Sequence, residues 1–437
     1  MTENRDKWSS NIGFLLAAVG SAVGLGNIWR FPYMMGKDGG ALFLIIYLFF
    51  IFFITSFALI SEISLGKHVR KNCVDAFKYA NPRLGWAGWM MFASAVLIPS
   101  FYFVVGGWII YYFFASFSAS PADFGKAFTD MTSRPLLPLA LSSVFLLSCA
   151  YFNFKGVSNG IEKANRIMMP ALFLIMIILA VFSVMTLPGT REALKFMFMP
   201  DFSKFSSGVL LDALGQSFFT LSVGIGSLMI YGSYMESEHK IRNNAVSIIV
   251  FDTIAALLAG IIIFPGVFSY GFEPQGGPGL VFVTLPAIFA KMPGGSLFSA
   301  AFFLLLFFSA LTSGISLLEP ASVIVSEKFS VSRRKAVLIV SGLILLLSVP
   351  CSLSFGAMKD FHIFGKTVFD LFDYITSNIF MPLSSFFVCI ALGWFLHKED
   401  KFSFGNRAFD KVFNIMTKYV LPVILLIVLS AGLSGKL

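Results

Sequence analysis

Gly20-Ser21-Ala22-Val23-Gly24-Leu25-Gly26-Asn27-Ile28-Trp29-Arg30-Phe31-Pro32 lies inside an apolar run that otherwise reads as a membrane helix. Three glycines in seven residues weaken a helix at its middle, and Asn27 and Arg30 follow close behind. Irregular backbone at membrane depth is tolerated only where it is buried in protein or lines a cavity. The local pattern has two readings. Gly20 and Gly24 form a small-xxx-small pair of the kind that packs helices together. Alternatively, the helix is broken here and its free backbone groups line a binding site near the midplane.

The rest of the chain supplies the membrane. It has 437 residues, of which 57% are hydrophobic and 13% charged, with 53 phenylalanines. A soluble protein of this size would need far more polar surface, so the composition selects a polytopic membrane protein. Cys73, Cys149, Cys351 and Cys389 have no paired spacing and read as small apolar packing residues. The four histidines have no metal-ligand spacing. The first ten residues are polar, and the first apolar run contains Asn27 and Arg30, unlike a cleavable signal peptide.

Runs long enough to span a bilayer fall at 11–35, 41–66, 86–117, 135–153, 167–187, 208–235, 243–270, 296–326, 336–352, 367–396 and 412–434. The expected fold is therefore all-α with 11 transmembrane helices. With residues 1–10 inside, the inner segments carry twenty of the 32 Lys and Arg and the outer ones ten, Arg30 and Lys418 being within spans. The excess places the N-terminus in the cytoplasm and the C-terminus outside. The positive net charge of +9 reads as this topology signal and not as nucleic-acid binding. The loop at 271–295 contains the apolar string 280–286 and is expected to fold over a cavity mouth.

The sixth span repeats the interruption of the first. Phe218-Phe219-Thr220-Leu221-Ser222-Val223-Gly224-Ile225-Gly226 puts Thr, Ser and two Gly inside an apolar run, five spans after the first break. Gly-interrupted segments in corresponding positions of two halves point to an inverted-repeat transporter. The expected organisation is a first repeat at 11–187, a second at 208–396, and a peripheral helix at 412–434.

The thirteen residues 20–32 closely resemble the first helix of the neurotransmitter:sodium symporter family, in particular its bacterial amino-acid transporters. The resemblance recurs in later spans and covers nearly the whole chain. It implies a substrate pocket formed by Ser21, Ala22, Gly24, Leu25 and Gly26; Ile98 and Tyr102; Phe219, Thr220, Ser222 and Ile225; and Ser313 and Leu317. The Tyr102 hydroxyl would bind the substrate carboxylate. Biogenic-amine members carry Asp where this chain has Gly24, so glycine implies an amino acid. With no charge for a substrate side chain among these residues, the implied substrate is large and apolar or aromatic, such as tyrosine, tryptophan or leucine. A smaller neutral amino acid is the alternative.

Two sodium sites follow from the same resemblance. The first uses the Ala22 carbonyl, the Asn27 side chain, Thr220 and Asp252, completed by the substrate carboxylate. The second uses the carbonyls of Gly20, Val23 and Ser309 with the hydroxyls of Thr312 and Ser313. Sodium, a hard cation, suits such oxygen sets, as calcium does. Adjacent helical hydroxyls such as Thr312 and Ser313 also commonly bond back to a carbonyl one turn earlier and do nothing more. Many family members carry Asn in place of Asp252. Chloride-dependent relatives hold an anion partly by a serine one turn later, where this chain has Ala256, while Tyr47 and Gln216 of that site remain. A fixed carboxylate at Asp252 therefore implies charge compensation without chloride.

Ionisable groups within spans are costly and commonly functional. Arg30 and Asp373 are expected to form an outer gate, with Asp370 a rival three residues away, and Tyr102 and Phe219 closing over the substrate. Arg5 and Glu327 are expected to pair as an inner gate braced by Trp8 and Tyr234. Glu62 would brace the broken sixth helix, and Glu319, before Pro320, has no partner assigned by the sequence. The resulting expectation is a sodium-coupled amino-acid importer in the inner membrane working by alternating access. A substrate sensor on the same fold, an ion channel and an enzyme are the rival classes. Sensors usually carry a signalling domain, a channel needs a continuous pore, and no nucleophile–base set supports an enzyme.

Overall fold

The computed structural model describes residues 6–236, 240–272, 279–396 and 402–434. In hydrocarbon every backbone N–H and C=O needs an internal partner, so apolar runs become helices. Among the described residues nine unbroken helices are long and apolar enough to span a membrane. They are Ala41–Val69, Pro82–Ala115, Leu137–Phe154, Val157–Thr186, Ile241–Tyr270, Gly295–Lys328, Arg333–Leu353, Val368–Leu396 and Arg407–Leu433. A further span is the pair Asn11–Ala22 and Gly26–Lys37, bent by 47° at the glycine-rich break. The remaining apolar run is cut into Ser207–Thr220 and Ser227–Ser233, with irregular chain at 221–226. The eleven runs are thus nine rods and two broken helices.

The fifth span differs from its expected start at 167. It begins at Val157. Glu162, Lys163 and Arg166 look like loop residues in sequence, but Glu162 is buried. Its carboxylate accepts from the Ser9 amide at 2.8 Å and the Ser9 hydroxyl at 2.5 Å, and pairs with Arg166 at 2.6 Å. The charge is neutralised within the helix, so the helix can continue through it.

The eighth span is the central strut, with 78% of its apolar window buried and its longest contact along the third span. The eleventh is peripheral: 33% of its window is buried, and it packs on the tenth. The loop after the seventh span contains the apolar helix Leu280–Lys291. Its Phe282 packs on Trp29 and Trp108, so this segment covers the first broken helix at its Arg30 end. Residues 273–278 of that loop lie outside the described residues.

The break in the sixth span has a local cause. Ser222, Gly224 and Gly226 have φ of 53°, 90° and 94°, which no α-helix accommodates. A Cβ on Gly224 would lie 2.2 Å from the Met381 carbonyl oxygen, so close packing also demands glycine there. The freed amides of Gly224 and Gly226 donate to the two carboxylate oxygens of Glu62 at 2.8 and 3.1 Å. Glu62 is fully buried in the second span. Removing it leaves two buried donors unpaired, at about 1–3 kcal/mol each. Glu62→Leu is therefore expected to lower the melting temperature of the detergent-solubilised protein markedly, while Glu62→Gln, which retains one acceptor, lowers it less. Equal melting of all three proteins would show that the brace carries no stability.

Candidate ligand and ion site

The two breaks face each other: the Ser222 hydroxyl donates to the Ser21 carbonyl at 3.1 Å. Between them and the third and eighth spans lies a cavity of about 370 Å³, within the range of roughly 300–1,000 Å³ common for small-ligand pockets. All thirteen residues expected in the substrate pocket line it, from Ser21 to Leu317. Its apolar part is a cluster of Ile98, Ile225, Leu317 and Met381, flanked by Phe101, Tyr102 and Phe219. Met381 was not legible from sequence as a pocket residue, because it comes from the tenth span with no polar or glycine signal beside it. The polar part includes the hydroxyls of Tyr102 and Ser21, both buried with no partner among the described residues. A Cβ on Gly24 would lie 2.7 Å from Ser313 Oγ and 3.7 Å from the Tyr102 hydroxyl. Any side chain at position 24 would therefore fill the polar corner.

Beside this corner Asp252 is fully buried and draws three other spans together. Its carboxylate accepts from Asn27 Nδ2 at 2.7 Å, Thr220 Oγ1 at 3.0 Å and the Tyr47 hydroxyl at 3.1 Å. Asn27 Nδ2 also reaches the Asp252 carbonyl at 3.1 Å, and its Oδ1 accepts from the Gly24 amide at 3.0 Å. The side chains expected around the first sodium are thus together, with the Ala22 carbonyl at the adjoining end of the first half-helix. Tyr47 is a donor to Asp252, and Gln216 Nε2 donates to the Gly26 carbonyl at 3.1 Å. Ala256 is buried and offers no hydroxyl.

A second group of oxygens lies between the first and eighth spans. Ser313 Oγ is 3.2 Å from the Gly20 carbonyl and Ser309 Oγ is 3.3 Å from the Val23 carbonyl. Thr312 Oγ1 is 3.0 Å from the carbonyls of both Phe308 and Ser309. The back-bonding typical of helical hydroxyls therefore occurs at Thr312, whereas Ser313 reaches across to the broken helix. The arrangement is a knot of neutral oxygens without a positive charge of its own, the chemistry that a hard monovalent cation requires.

At one end of the cavity Arg30 and Asp373 both line the wall. They form no direct ion pair. The Arg30 guanidinium lies 4.3 Å from the centre of the Phe219 ring, and Asp373 accepts from Ser377 Oγ at 2.9 Å. Asp370, the rival, is occupied at its helix start, where Thr367 Oγ1 donates to it at 2.7 Å.

At the opposite end Trp8 is buried against Tyr231 and Tyr234, its Nε1 donating to the Tyr231 carbonyl at 2.9 Å. Arg5 lies outside the described residues. Glu327 accepts from the Asn72 amide at 3.1 Å and from Asn72 Nδ2 at 2.7 Å. The Tyr234 hydroxyl donates to Glu319 at 2.7 Å, and Glu319 pairs with Arg333 at 2.6 Å. Arg333 also reaches Asp6 at 3.0 Å and the Asn153 carbonyl at 2.8 Å. Glu319 thus has its partners, which the sequence did not reveal because Arg333 begins the next helix. Its only signal was a carboxylate within an apolar span.

The sequence pattern of the Sodium:neurotransmitter symporter family matches residues 5–127 and 129–435. The uncharacterized sodium-dependent transporter YhdH of Bacillus subtilis is 37% identical over 435 residues, covering 97% of this chain and 96% of its own. A Haemophilus influenzae uncharacterized sodium-dependent transporter is 34% identical over 457 residues, 99% of this chain and 100% of its own. The fold matches the crystal structure of MhsT in complex with L-phenylalanine with a TM-score of 0.88 and 39% identity, covering 98% of this chain and 100% of MhsT. With its broken helices, central pocket and full-length match, the chain belongs to the sodium:neurotransmitter symporter family of membrane transporters.

Proposed function

We propose that this protein imports a large apolar or aromatic amino acid, coupled to two sodium ions and independent of chloride. The observation that carries the reading is the pairing, in one cavity, of an apolar wall with a polar corner of unpartnered buried hydroxyls. An amino acid presents the same two faces. Its side chain would lie against Ile98, Ile225, Leu317 and Met381, and its carboxylate would meet Tyr102 and the amides at the first break. The phenylalanine in the similar MhsT structure supports the same class. Ser222, in the cavity wall, donates to the Ser21 carbonyl, and its oxygen can still accept from a polar tip such as a phenol.

The protein's own residues then perform the coupling. Asn27 and Thr220, already gathered on Asp252, hold the first sodium next to the substrate carboxylate. Gly20, Val23, Ser309, Thr312 and Ser313 hold the second. Two sodium ions and a zwitterion bring positive charge into a low-dielectric site, where uncompensated charge costs several kcal/mol. Asp252 supplies the compensating charge. Tyr47, committed to Asp252, is no longer available to an anion. Arg30 and Asp373 close the outer end by moving together, Arg30 leaving or carrying Phe219 over the substrate. Trp8, Tyr234 and Glu327, with Arg5, close the inner one. The repeats 11–187 and 208–396 rock against each other around the site, in the inner membrane with the N-terminus in the cytoplasm.

Sodium-driven uptake of a labelled amino acid into proteoliposomes, with competition by the twenty amino acids, tests the substrate class. Tyrosine, tryptophan and leucine should compete strongly, and glycine and aspartate weakly. Close apolar analogues should differ little, since a methylene in such a pocket is worth about 1–3 kcal/mol. Stronger inhibition by glycine or aspartate than by the large residues would refute the assignment. Replacing chloride by gluconate should leave wild-type uptake unchanged. Asp252→Asn combined with Ala256→Ser should make any remaining uptake chloride-dependent, and loss of wild-type uptake in gluconate would overturn the compensating role of Asp252.

A further inference from the structure

One buried side chain beside the second group of oxygens is left half-satisfied. Asn165, in the fifth span, has no exposed surface, and its Nδ2 donates to the Ile161 carbonyl at 2.8 Å. That bond fixes the carboxamide, yet Oδ1 accepts nothing from the described residues. A buried acceptor without a donor is costly and calls for an explanation.

The position of this oxygen supplies one. A carbon built as a side chain on Gly20 would lie 2.0 Å from Asn165 Oδ1 and 3.1 Å from Thr312 Cβ. The oxygen therefore presses on the Cα of Gly20, next to Thr312. Gly20 and Thr312 contribute two of the five oxygens gathered between the first and eighth spans. Glycine at position 20 is what lets the fifth span bring a third wall to that group. The carboxamide oxygen is neutral and strongly dipolar, the ligand type that hard cations take alongside carbonyls and hydroxyls.

We propose that Asn165 is a sodium-binding residue, its Oδ1 adding a sixth oxygen to the second sodium site. The inference rests on the reading of those five oxygens as a sodium site. It makes the site a junction of three spans, the first, fifth and eighth, so that the ion ties the fifth span to the first break.

The test is a titration of purified protein with sodium at constant ionic strength, choline replacing sodium, followed by the melting temperature without amino acid. Under those conditions the first sodium site lacks its substrate ligand. Wild type, Asn165→Leu, Asn165→Ala and Asn165→Asp are compared. Leucine has a similar shape without the oxygen, alanine removes both, and aspartate keeps an oxygen in place. Half-maximal stabilisation should require on the order of tenfold more sodium in the leucine and alanine variants, and no more than wild type in the aspartate variant. If the leucine variant does not fold, the alanine and aspartate pair carries the same contrast. Wild-type sodium dependence in the alanine variant, or equal weakening in alanine and aspartate variants, would overturn the proposal and leave Asn165 a packing residue or a water site. Absence of any sodium stabilisation in wild type would instead defeat the sodium reading of the whole group.

Discussion

Backbone that leaves helical geometry at membrane depth must find partners within the protein, and this structure is arranged around that need. Two helices break opposite each other, at 23–25 and 221–226. Glu62 takes the amides of Gly224 and Gly226, Asn27 takes that of Gly24, and Ser222 takes the carbonyl of Ser21. These fixed partners hold the breaks open. The hydroxyls of Tyr102 and Ser21 are left without partners among the described residues at the cavity, so a bound ligand can complete them.

The placement of charge follows the same economy. Asp252 is a buried carboxylate beside the polar corner of the cavity, and it is held by donors from the first, second and sixth spans. A carboxylate so fixed suits a site that receives cations. Other charged groups lie toward the ends: Arg30 and Asp373 line one end of the cavity without a direct ion pair, and Glu319 is paired with Arg333 near Trp8 at the other.

Much of this was legible in the chain because breaks in membrane helices need unusual residues. Glycines at 20, 24 and 26 and at 224 and 226 mark both interruptions, and the motif resemblance led from them to the pocket wall. What remained hidden came from ordinary residues brought in by distant spans. Met381 is one apolar residue among many, and Asn165 lies in a polar stretch that looks like a loop. The start of the fifth span was misplaced for the same reason: burial of Glu162 depends on Ser9 and Arg166, and only the fold brings Ser9 there. The partners of Glu319 required knowing that the eighth and ninth spans return to the Trp8 end together. Periodicity and composition find helices and breaks, whereas pairing across spans is a property of the packed molecule.

If the cargo completes the broken helices and the substrate carboxylate is, as proposed, a ligand of the first sodium, sodium and amino acid must strengthen each other's binding. Linkage requires the two effects to be equal in size. The direct measurement is equilibrium binding of a labelled large apolar amino acid across a range of sodium, paired with sodium binding with and without the amino acid. The account predicts that sodium raises amino-acid affinity by the same factor as the amino acid raises sodium affinity. Amino-acid binding that is equally tight in sodium and in choline would contradict it.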